Sequence, residues 1–169
     1  DNTAGPGLVN DLIKNLGWHI KESKILVIGA GGAVSGVLAS LLAEAPGVLH
    51  VTNRTHAKAQ KLAQKFAGVT AVSTDRLKES YDLVINGTSA GLSHQDLEVS
   101  GSVITGNTCC YDMIYGAGIT RFNQWCQKHA ECDVADGLGM LVEQAVLAFM
   151  IWFGGQVNTA PDTQLVIDT

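Results

Sequence analysis

The stretch Lys24-Ile25-Leu26-Val27-Ile28-Gly29-Ala30-Gly31-Gly32-Ala33 constrains this chain more than any other, because a β-branched apolar run breaks into closely spaced glycines and then into helix-forming sequence. Such a pattern folds as strand, tight turn and helix. Glycine belongs in the turn because the backbone must take positive φ there or approach a phosphate closely, letting the helix N-terminal N–H groups and dipole meet the anion. Val34 stands where G-x-G-x-x-G has its third glycine, so the residues also fit any glycine-rich strand-to-helix turn of a parallel sheet.

The rest of the chain alternates in the same way. Leu8, Val9, Leu12, Ile13 and Leu16 predict a first helix over Gly5 to Gly17, and the glycine turn predicts a second from Gly32 to about Ala45. Strands are predicted at Val48–Asn53, Val69–Val72, Tyr81–Asn86 and Thr108–Met113. Between and after them come a helix capped by Thr55 and running to Phe66, a polar helical turn over Thr74 to Ser80, and a helix over Ile119 to Lys128. Asp136-Gly137-Leu138-Gly139-Met140 opens the longest helix, which is apolar on more than one face and so asks for a second cover. Beyond Gly155 the sequence reads as a polar tail. Strands and helices in this order predict an α/β doubly wound, Rossmann-like parallel sheet with helices on both faces.

Composition narrows the function. With 46% apolar residues in 169, a sizeable core is within reach. A net charge of −5 with 11 Lys and Arg, nowhere interleaved with aromatics, excludes a nucleic-acid surface. The apolar runs are too short for a bilayer and no signal-peptide pattern is present, so no membrane partner is expected. Cys109, Cys110, Cys126 and Cys132 form no C-x-x-C pair and read as free buried thiols of a cytoplasmic protein. The five histidines are scattered, which predicts neither a metal site nor a triad.

The second strand's tip points to the cofactor. About 20 residues after the glycines, NAD sites of doubly wound folds place an acid on the ribose 2′-OH, whereas NADP sites place a cation on the 2′-phosphate. This chain has Asn53-Arg54-Thr55 with Lys58 one helical turn on, and no acid. The guanidinium fork suits a phosphate, so NADP is expected rather than NAD.

Six motifs in order resemble shikimate dehydrogenase from Asp1 to about Trp152: Asp1-Asn2-Thr3-Ala4-Gly5, Gly29-Ala30-Gly31-Gly32-Ala33, Asn53-Arg54-Thr55, Asn86-Gly87-Thr88-Ser89-Ala90-Gly91, Cys110-Tyr111-Asp112-Met113-Ile114-Tyr115, and Asp136-Gly137-Leu138-Gly139-Met140-Leu141-Val142-Glu143-Gln144. The resemblance implies NADPH-dependent reduction of 3-dehydroshikimate to shikimate in aromatic amino-acid biosynthesis. It implies that residues 29–33 cradle the pyrophosphate, that Asn53, Arg54, Thr55 and Lys58 hold the 2′-phosphate, and that Met113 and Gly137 contact the nicotinamide end. Tyr115 and Gln144 match substrate contacts.

The family's N-terminal catalytic domain, with its lysine, has no counterpart here. The division implied is a connecting helix in 1–20, an NADP-binding domain in 21–136, a long connecting helix in 137–155 and a tail in 156–169. Substrate would be shared with the missing domain, and the uncovered interdomain face would favour self-association. This chain alone is then expected to be inactive. Ala4 occupies the position of the family's catalytic aspartate, and a methyl group cannot move a proton. An alternative is therefore a non-catalytic NADP-binding relative. Gly87, often alanine in the family, is expected to be a neutral departure, and Ser35, where a basic residue is common, a slightly weakening one.

Overall fold

The structure, a computed structural model, describes residues 2–88 and 99–153 together with Thr163 and Ile167. Six strands, β1 (Lys24–Ile28), β2 (Val48–Thr52), β3 (Val69–Ala71), β4 (Leu83–Asn86), β5 (Cys109–Asp112) and β6 (Asp133–Ala135), form one sheet. Every pairing is parallel and the order is β3-β2-β1-β4-β5-β6. The order reverses between β1 and β4, the switch point at which such sheets open a crevice beyond their carboxyl ends. Among the described residues five α-helices accompany the sheet: α1 (Ala4–Asn10), α2 (Gly32–Ala43), α3 (His56–Lys65), α4 (Arg121–His129) and α5 (Leu138–Phe153).

Period-two alternation assigns the strand side chains to two cores. Ile25, Val27, Leu83, Ile85 and Tyr111 face one layer with Leu8, Val37, Leu38, Leu62 and Met140 of the helices. Leu26, Val84 and Cys110 face the other, against Val103, Phe122 and Cys126. Helices therefore cover both faces, as the strand-helix alternation predicts. Helix α1 is far too short to be stable by itself. Burial of its Leu8, and of Leu12 in the turn that follows, both fully enclosed, holds it against α2 and α5, at about 1.5–3 kcal/mol for each such side chain.

Several elements differ from the sequence expectation. The first helix begins at Ala4 and passes at Asp11–Asn15 into a π turn, with Leu16 N–H donating to the Asp11 carbonyl over 3.0 Å. Gly17 ends it with φ of 67°. Thr55 occupies the N-cap of α3 without making a side-chain cap; Asn53 Nδ2 reaches the Thr55 carbonyl instead, at 3.0 Å. The helical turn at Thr74 shrinks to a single 3₁₀ turn, Thr74–Arg76. Strand β6 is unanticipated: with three residues, one of them Asp133, it shows no readable alternation and is defined by its partner β5.

On α5 the second face is open to solvent, with Ile151 52% and Trp152 77% exposed. The expected tail lies outside the described residues except at Thr163 and Ile167, as do Ser89, Ala90 and Gly91. No helix among the described residues is long and apolar enough to cross a membrane.

Candidate functional site

Strand register brings four carboxyl ends to one level, since Ile28 pairs with both Thr52 and Asn86, and Asn86 with Asp112. The backbone continues this stitching past the strands. Gly29 N–H donates to Thr52 O at 2.7 Å, Gly87 N–H to Ile28 O at 2.8 Å and Met113 N–H to Asn86 O at 2.9 Å. Gly29 takes φ of 117°, and a Cβ there would press on Thr88 Cγ2 at 3.1 Å. Glycine is obligatory at that position.

Beyond Gly29 the turn is open. Ala30 is half-buried, Gly31, Gly32 and Ala33 are exposed, and nothing lies within 4 Å of where a Cβ on Gly31 or Gly32 would stand. Gly31 is the N-cap of α2 and supplies no side-chain cap. The first-turn N–H groups of a twelve-residue helix thus face open space with the positive end of its dipole, which suits an anion. Val34, at the third glycine position, is fully buried. Space for it comes from Gly87, whose Cβ would collide with Val34 Cγ2. The expectation that Gly87 is a neutral departure from alanine is therefore corrected.

At the neighbouring tip of β2, Asn53 is half-buried while Arg54, Thr55 and Lys58 are exposed. No acid stands in the first turn of α3. On the other side of the switch point, Asn86 donates from Nδ2 to Asp112 Oδ1 at 3.0 Å and accepts the Thr88 hydroxyl at 2.7 Å. Burial pushes the Asp112 carboxyl up, opposed by donors from Thr120, Ile114 and Asn86. Gly137 N–H donates to Ile114 O at 3.1 Å, and its Cα lies so near Met113 that a Cβ would collide with the Met113 carbonyl.

The glycine turn, Met113 and Gly137 thus surround the switch point, with Asn53 to Lys58 beside them. Tyr115 stands away on an exposed loop, half of its surface free. Gln144 lies half-buried on α5, its stem over Gly7, where a Cβ would come within 2.7 Å of its Cγ. Ala4 opens α1 and packs against the main core. His56, within the segment Asn53 to Lys58, lines a hollow of about 540 Å³ with Gln60, Thr70, Ser73, Asp75 and Arg76. The four cysteines are free thiols, and burial raises Cys109 to about 11 and Cys132 to about 12. Among the described residues no group of His, Cys, Asp and Glu is arranged to hold a metal.

Two contributions to the site have little or no local signal in the sequence. Thr88 and Asn86 were visible only as motif letters, yet they fix the floor of the crevice. Partners of Asp11 and Glu143 lie 100, 128 and 133 positions away, so local pattern carries no signal for them.

A family model for shikimate/quinate 5-dehydrogenase matches residues 11–96, and one for the shikimate 5′-dehydrogenase C-terminal domain matches residues 137–167. The chain belongs to the shikimate dehydrogenase family. A shikimate dehydrogenase (NADP(+)) of Alkalilimnicola ehrlichii is 48% identical over 95% of this chain and 61% of its own length. One of Vibrio cholerae is 47% identical over 94% of this chain and 58% of its own length. Among solved structures, the Ael1 enzyme of Pseudomonas putida superposes with TM-score 0.90 at 36% identity, covering 99% of this chain and 61% of that one. The Thermus thermophilus shikimate 5-dehydrogenase in complex with NADP(H) and shikimate superposes with TM-score 0.80 at 32% identity, over 96% and 59%. This shikimate dehydrogenase family chain spans about three-fifths of the length of the relatives it matches.

Proposed function

We propose that this chain is the NADP-binding part of an NADP-dependent shikimate dehydrogenase, an enzyme that reduces 3-dehydroshikimate to shikimate. The observation that carries the reading is the uncapped N-terminus of α2 beside the open glycines Gly31 and Gly32, with Arg54 and Lys58 at the adjoining strand tip.

When bound, the nicotinamide supplies or accepts a hydride. The chain's residues hold and orient. Gly29, Ala30, Gly31, Gly32 and Ala33 offer backbone N–H donors to the pyrophosphate. Arg54 and Lys58 neutralise the 2′-phosphate, with Asn53 and Thr55 adding polar contacts, so a ligand with a bare 2′-OH forfeits those charge-assisted bonds. Met113 and Gly137 wall the nicotinamide end and keep water from it.

Tyr115 and Gln144 contact the substrate, which on this reading is shared with a separate catalytic domain. Residues 1–20 and 137–155 then act as connecting helices, 21–136 as the cofactor domain and 156–169 as a tail, in a cytoplasmic enzyme whose isolated fragment does not turn over. A second reading rests on Ala4: its methyl offers no proton to transfer, which fits an NADP-binding relative without catalysis. Activity gained by Ala4→Asp in a protein that also carries the catalytic domain would remove that reading.

Calorimetric titration of this chain with NADP⁺ and NAD⁺ at two salt concentrations tests the proposal. The expected result is tighter binding of NADP⁺, with a preference that shrinks as salt rises. Equal or weaker binding of NADP⁺ would sink it.

A further inference from the structure

Two buried carboxyl groups, Asp11 and Glu143, meet where the π turn, β5 and α5 come together, and no cation is among the groups acting on the more enclosed one. Asp11, 3% exposed, starts the π turn. Its Oδ2 accepts the Tyr111 hydroxyl at 2.6 Å and its Oδ1 accepts from Asn15 Nδ2 at 2.8 Å. Glu143 on α5, 5% exposed, accepts from Asn10 Nδ2 at 3.2 Å and from Asn15 Nδ2 at 3.3 Å. Gly139 on the same helix leaves room for all this, because a Cβ there would collide with the Asp11 carboxylate.

Burying acids without a counter-ion costs stability, and a hydrogen-bonded polar network of this kind repays its cost by fixing one arrangement. What it fixes can be followed along the chain. Tyr111 stands on β5 two residues before Met113. Met113 abuts Gly137, which leads directly into α5, and α5 carries Gly139 and Glu143 back to the π turn. The path closes on itself through the bond between Tyr111 and Asp11.

We infer that Asp11, Asn15, Tyr111 and Glu143 are positioning residues for the nicotinamide end of the crevice, closing a circuit from β5 through the π turn to α5 that holds Met113 against Gly137. This rests on the NADP-binding reading above. The glycine turn and the Arg54 strand tip contribute no residue to the circuit, so the effect is expected at the nicotinamide end rather than at the phosphate end of the crevice.

The test compares two ligands on this chain and its Tyr111→Phe variant: NADP⁺, and adenosine 2′,5′-bisphosphate, which carries the 2′-phosphate but no nicotinamide. The variant is expected to bind NADP⁺ roughly three- to tenfold more weakly, the worth of one lost hydrogen bond, and the bisphosphate as the parent does. Asn15→Ala, at a half-buried position, is expected to show the same selective loss and serves if Tyr111→Phe does not fold. Loss of equal size for both ligands, or for neither, would overturn the inference while leaving the functional reading in place. A parent chain that binds neither ligand would overturn both.

Discussion

Gly87 lies against Val34 with no room for one more carbon: a Cβ on Gly87 would collide with Val34 Cγ2 and approach Met113 Sδ to 3.1 Å. Val34 is stiff and fully buried, so it cannot swing aside. Gly87→Ala is expected to cost about 1–3 kcal/mol, read as a Tm lower by roughly 2–12 °C for a chain of this size. In a Val34→Ala background the same substitution should cost close to nothing. Strictly additive losses in that double-mutant cycle would show that the two residues do not compete for space.

Asp11 makes stability depend on pH. Burial, first, and then the charges of Glu143 and Asp136 hold its carboxyl above the ordinary 3.8, while the Tyr111 and Asn15 donors oppose the shift. The folded chain therefore keeps this proton to higher pH than the unfolded chain. Ionisation costs folding free energy that is absent below the ordinary value and fully present above the raised one. Asp11→Asn removes the titration, so the Tm of the variant relative to the parent should improve as pH rises from about 4 to about 7. A difference that is flat, or that runs the other way, would contradict this account of Asp11.

The outer face of α5 predicts association. Phe149, Ile151, Trp152 and Phe153 are 37–77% exposed on one helix end, a larger apolar grouping than isolated surface residues make. Light scattering is expected to give an apparent mass that rises with concentration, and Trp152→Lys should reduce the rise. A constant monomer mass up to high concentration would count against it.

Most of the fold was legible because its signals are local. The β1 run, its glycines and the alternation of strands and helices each act within a few residues, and the strand register then places the site at the switch point. Strand β6 was not legible, since three residues paired only with β5 carry no periodicity of their own. The π turn was hidden for a similar reason: its helical spacing looks ordinary until Tyr111 and Glu143, from elsewhere in the chain, are brought against Asp11 and Asn15.

At the site, the open glycines and the Arg54 tip could be anticipated from motif chemistry. The exchange of the third glycine for Val34, with Gly87 making room, could not, because the compensation lies 53 positions away by residue number.

The most direct measurement is a backbone amide NMR titration of this chain with NADP⁺. The largest shifts are expected on Gly31, Gly32 and Ala33, on Arg54, Thr55 and Lys58, and on Met113 and Gly137, with Lys128, Glu131 and Asp133 at the far end of the sheet unmoved. Shifts that leave the glycine turn still and gather elsewhere on the chain would contradict the NADP-binding reading.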